Sequence, residues 1–149
     1  DIRTTRFAID ELISKVRREI LDLRRGAGKP LHTQLHSLAL DICEGYELEF
    51  QLDECAVPLH VEMEILAIAT EILRNCVAHS RATRIGITLY PINNRIYLQI
   101  CDNGIGGAIM KDGRWGMMGI SERIAKLGGS IVIENNSATD SGVRITMLI

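Results

Sequence analysis

Aromatic residues are scarce: Phe, Trp and Tyr together make up 4% of the 149 residues, with a single Trp. A core built on stacked rings is thereby excluded, and Ile, Leu, Val and Met must fill it. Charge of one sign is also lacking. The net charge of −2 gives no electrostatic footprint for a nucleic-acid partner. No apolar run approaches a membrane span, and the first residues do not read as a signal peptide. Any anchor is expected outside this stretch, which leaves a cytoplasmic domain. The four cysteines, Cys43, Cys55, Cys76 and Cys101, form no CxxC pair and stand at no metal-ligand spacing from the histidines. They read as small buried hydrophobes in a reducing setting. Internal repeats, low-complexity segments and a GxxxxGK[ST] phosphate loop are missing too.

What is present centres on the stretch Val61–Ser80. Ile65, Leu66, Ile68, Ala69, Ile72, Leu73, Cys76 and Val77 recur with the period of a buried helical stripe. Glu64, Glu71, Asn75 and His79 follow at offsets of seven, four and four, so they share one edge of that helix. The edge is either a solvated face or the wall of a site. Glu71 is of the right type for a general base, and Asn75 could offer its carbonyl to a hard cation such as Mg²⁺. His79 also suits the negative end of the helix.

The rest of the chain reads in order. Residues 2–24 have helical spacing with many charges, and the run from Gly26 to Pro30 breaks the helix. A second helix is expected from about Leu31 to Gly45. From Tyr46 the alternation of YELEFQL predicts a strand. Pro58 lies near the start of the long helix. Residues 83–92 and 95–102 read as a hairpin around Asn93 and Asn94. Residues 103–116 read as a mobile Gly-rich loop, 116–129 as a helix with a Gly stop, and 130–135 and 142–149 as closing strands. The expected class is α+β: a two-layer sandwich, its sheet mixed and mostly antiparallel, with helices on one face and a helical arm in front. Two divisions are expected, residues 1–45 and 46–149.

Two loops carry chemistry. In DNGIGG a strand-end carboxylate, Asp102, precedes glycines at 104 and 106. Asp is an acceptor that suits an exocyclic amine, and Gly lets a ligand approach the backbone. A plain tight turn is the other reading. The run is not GxGxxG, because Ile109 stands in the last place. In GMMG, Gly116 to Gly119 open a helix whose first amides could take a phosphate, with Lys111 and Arg114 just ahead. A flexible helix start flanked by solvated charges fits equally.

The order EILRNCVAHSRAT, DNGIGG, GMMGISERIAKLGGSIVI resembles the N, G1 and G2 boxes of the sensor histidine-kinase catalytic domain, within the GHKL superfamily. It is most similar to the kinases whose response regulators carry helix-turn-helix outputs. The likeness covers about residues 46–149; residues 7–45, notably VRREILDLRR, resemble the end of the dimerisation helix and the connector. The resemblance implies an ATP- and Mg²⁺-dependent phosphotransfer to a histidine. Glu71 matches the catalytic acid, and Asn75 the Mg²⁺-coordinating amide. Asp102 matches the adenine-reading carboxylate, with Gly104 and Gly106 the G1 glycines. Gly116, Met117 and Gly119 match the G2 segment, and His79 and Lys111 are placed at the nucleotide.

The resemblance also implies partners: the chain's own dimerisation and phosphoacceptor domain, a cognate response regulator, a homodimeric full-length protein anchored in the bacterial inner membrane, and no direct nucleic acid. Two positions depart from the pattern. Ala78 stands where Lys or Arg is usual, and Val143 follows Gly142 where Thr is usual. These departures motivate a rival, a non-catalytic module of the same fold. A serine kinase of the anti-sigma-factor type is the other. No histidine lies in residues 1–24, so the acceptor is expected upstream.

Overall fold

The computed structural model describes residues 5–6, 8–17, 29–79, 81–104, 117–135 and 142–149. The chain divides into two compact units, residues 1–30 and 31–149. In the first, residues 8–17 are helical (α1), within the span expected to be a helix. Ile9, Leu12, Ile13 and Val16 form an exposed stripe along it.

The second unit runs α2 (Leu31–Ile42), β1 (Glu47–Leu52), α3 (Leu59–His79), β2 (Arg84–Ile92), β3 (Arg95–Asp102), α4 (Met117–Lys126), β4 (Ser130–Asn135) and β5 (Val143–Leu148). Helix α2 packs into this unit through buried Leu31, Leu35 and Ala39.

The strands form one five-stranded sheet in the order β1-β2-β3-β5-β4. β1 and β2 pair in parallel, with Glu47 opposite Arg84 and Leu52 opposite Leu89. A parallel pair needs a crossover, and α3 supplies it. The remaining pairings are antiparallel, so the sheet is mixed and mostly antiparallel, as expected. The β2–β3 turn holds Asn93 and Asn94 at φ 48° and 63°. Consecutive positive φ values are those of the tight hairpin turns whose twist matches the strands, and Asn tolerates them.

Alternation places the core. Ile85, Ile87 and Leu89 of β2, Ile96, Leu98 and Ile100 of β3, and Ile145 and Met147 of β5 point to one face. Ile65, Ile68, Ile72 and Leu73 of α3 and Ile120 and Ile124 of α4 belong to the same buried cluster. Each such fully buried side chain contributes about 1.5–3 kcal/mol. The opposite face carries Thr88, Gln99 and Thr146; the Gln99 amide donates to the Thr146 hydroxyl at 3.0 Å. With few rings available, aliphatic side chains do the filling.

Helix α4 ends where the glycines predict. Gly128 has φ 74°, its N–H donates to the Ala125 carbonyl at 3.0 Å, and the Gly129 N–H reaches the Ile124 carbonyl at 2.9 Å. That pair of bonds is the Schellman stop, which satisfies carbonyls the helix would leave unpaired.

Candidate functional site

Asp102 is the last residue of β3 and is buried, with 2% of its surface exposed. A carboxylate in that position requires donors. The Gly104 N–H donates to Asp102 Oδ1 at 2.8 Å, closing a local turn. The Val143 N–H, at the start of β5, reaches the same oxygen at 3.3 Å. The Cys76 thiol, from the inner stripe of α3, donates to Asp102 Oδ2 at 3.4 Å. Three segments distant in sequence thus converge on one carboxylate. Turn and site are the same object here, because the turn bond is one of the bonds that hold the acid.

Gly142 has φ 102°, and a methyl group added there would collide with the Asp102 carbonyl oxygen. Glycine at this place lets β5 pass close to the end of β3. Asn103 fastens the opposite side. Its Oδ1 accepts the N–H groups of Thr83 and Arg84, each at 2.9 Å, and its Nδ2 donates to the Thr83 hydroxyl at 2.9 Å. The segment leaving α3 is therefore tied to the residue next to Asp102.

Helix α3 brings the remaining side chains to this end of the sheet. Ile72, Leu73 and Cys76 are buried, Asn75 is half-buried, and Glu71 and His79 are exposed. The polar edge expected from the spacing exists as a face distinct from the packed stripe. His79 is in the last turn, where a cation is favoured by the helix dipole.

The buried thiol beside the acid is a proton donor by necessity. Burial, and after it the Asp102 charge, pushes the Cys76 thiol far above its ordinary 9.0. Burial alone raises Cys43 to about 11.

Among the sequence-derived positions, Glu71, Asn75, His79, Asp102 and Gly104 are placed as described. Gly119 lies in α4 with open space around its Cα. Met117 begins α4. Gly106, Lys111 and Gly116, with the loop they belong to, lie outside the described residues. The sequence reading passed over Cys76 and Asn103. Cys76 was hidden by its own period, since a small residue on an apolar stripe reads as packing. Asn103 carried a visible signal, a side-chain amide at a strand end, but it fitted a turn equally well.

No protein-family model matches the chain. In sequence it is similar to the nitrate/nitrite sensor protein NarX of Escherichia coli (strain K12), at 28% identity over 104 residues, which cover 68% of this chain and 17% of NarX. It is also similar to the signal transduction histidine-protein kinase/phosphatase DegS of Brevibacillus brevis, at 26% identity over 166 aligned residues, which cover all of this chain and 41% of DegS. In structure it is similar to the ATP binding domain of PrrB from Mycobacterium tuberculosis, with a TM-score of 0.63 and 17% identity, covering 79% of this chain and 91% of that domain. The chain therefore spans less than half the length of these two curated relatives.

The α+β fold, a mixed five-stranded sheet with helices, matches that of histidine-kinase ATP-binding domains.

Proposed function

We propose that this chain is the ATP-binding catalytic domain of a two-component sensor histidine kinase, transferring the γ-phosphoryl group of ATP to a histidine on a separate dimerisation domain. The observation that carries this reading is the buried Asp102, held by Gly104, Val143 and Cys76 at the end of β3. A carboxylate fixed by donors is an acceptor preset for the exocyclic amine of adenine, and a pocket built around one polar contact rejects bases that lack it.

The phosphate end belongs to α3. Glu71 is exposed and one turn from Asn75, as a base or orienter of the acceptor must be. Among the described residues no group of three His, Cys, Asp or Glu could hold a metal by itself. Mg²⁺ keeps waters and phosphates as ligands and needs few from protein. Asn75 would hold it, with Glu71 alongside, and the ion would neutralise charge on the phosphates. Gly104, Gly106, Gly116, Met117, Gly119, Lys111 and His79 are assigned to the nucleotide. The exposed apolar stripe of α1 suits pairing with the same helix of a second copy. Residues 1–45 are assigned to the end of the dimerisation helix and the connector, and 46–149 to nucleotide binding. The whole protein is a homodimer acting on a cognate response regulator, its subfamily being the one with helix-turn-helix outputs. No described helix is long and apolar enough to cross a membrane; the anchor is assigned to another part of the protein.

Isothermal titration with a non-hydrolysable ATP analogue and Mg²⁺ tests the reading. Wild type should bind, and Asp102→Asn should lose about 10-fold or more in affinity, as expected when a charged hydrogen-bond acceptor becomes an amide. Equal heats from the two proteins would sink it.

A further inference from the structure

Resting on the ATP-binding reading, we propose that Cys76 is a positioning residue for adenine: its thiol sets the orientation of the Asp102 carboxylate and so the preference for a purine bearing an exocyclic amine. The carboxylate's terminal torsion is a broad, two-fold one, so each donor that engages an oxygen narrows it. Gly104 and Val143 both donate to Oδ1. Cys76 donates to Oδ2, the other oxygen, from a different element. The thiol therefore adds a restraint on the second oxygen to those that the two amides place on the first.

Its place on α3 adds to this. Cys76 follows Asn75 directly, on the inward face, and its neighbours Ile72 and Leu73 are fully buried. The helix assigned to the phosphates is thus joined through one side chain to the residue assigned to the base. The Sγ···Oδ2 separation of 3.4 Å suits sulfur, whose hydrogen bonds are longer than those of oxygen. Alanine at 76 would keep the helix and the stripe but remove the donor. Valine would remove it while filling the space.

The test is titration calorimetry of the full chain with two nucleotides: a non-hydrolysable ATP analogue, and its counterpart with an unsubstituted purine base that lacks the amine. Wild type should favour the adenine nucleotide. Cys76→Ala should weaken the adenine nucleotide about fivefold to tenfold, the worth of one ordinary hydrogen bond, as suits a weak thiol donor, and leave the purine nucleotide within about twofold. Cys76→Val serves where circular dichroism shows the alanine variant unfolded, and the same selective loss is expected of it. A loss equal for both nucleotides, or no loss for either, overturns the role of Cys76 while leaving the ATP reading intact. Binding of neither nucleotide by wild type overturns both.

Discussion

At the scale of single residues the candidate site is built around buried Asp102. Asp102 is legible in the sequence as a strand-end carboxylate before glycines, yet its partners are not. Val143 looks like a lost hydroxyl when read along the chain. In the fold, its backbone N–H is one of the bonds to Asp102, and a backbone donor does not depend on side-chain identity. Gly142 is the residue that makes this approach possible. Gly142→Ala places a side chain at φ 102° and against the Asp102 backbone. We expect a loss of about 3 kcal/mol in urea unfolding, the sum of an unfavourable backbone region and an overpacked contact. An unchanged midpoint would show that the β5 entry relaxes freely.

Among elements, α3 was the most readable and the sheet order the least. The apolar period of α3 predicted its buried stripe through Cys76 but not the exposure of Val77, and the observed helix, Leu59–His79, differs from the expected span by a residue or two at each end. Local pattern suffices there because a helix face is defined within a few turns. The hairpin of β2 and β3 was equally plain, since its turn is two residues of Asn. The position of β5 between β3 and β4 was not legible, because nothing local in GVRITMLI specifies a neighbour more than 40 residues earlier. Helix α2 shows the same limit. The sequence predicts its end near Gly45, whereas it stops at Ile42 and Gly45 sits in the following turn at φ 88°. Its membership in the sheet's core follows from Leu31, Leu35 and Ala39 meeting side chains distant in sequence.

At the scale of the whole molecule, scarce aromatics and the lack of disulfides among the described residues go together: an aliphatic core holds the thiols of Cys43, Cys55 and Cys76, and Cys101 is half-buried. Cys43, Cys55, Cys76 and Cys101 all titrate above the ordinary 9.0, burial being the leading cause in each. A raised value means the folded protein keeps its proton after the unfolded chain has released its own. The stabilisation is therefore complete below pH 9.0 and declines as pH rises toward about 11 for Cys43. Each such thiol steepens that decline by up to about 1.4 kcal/mol per pH unit. Urea unfolding of wild type and Cys43→Ala should run parallel between pH 7 and 8.5 and converge above about pH 9; parallel curves to about pH 10.5 would mean that Cys43 ionises as readily folded as unfolded. The central claim, phosphoryl transfer to histidine, has a more direct test. The chain is incubated with Mg²⁺ and γ-labelled ATP while the proposed dimerisation domain is supplied in trans. The account predicts label on that domain that acid removes and alkali spares, lost in Glu71→Gln although that variant still binds nucleotide. Acid-stable label, or transfer that Glu71→Gln leaves untouched, would contradict it.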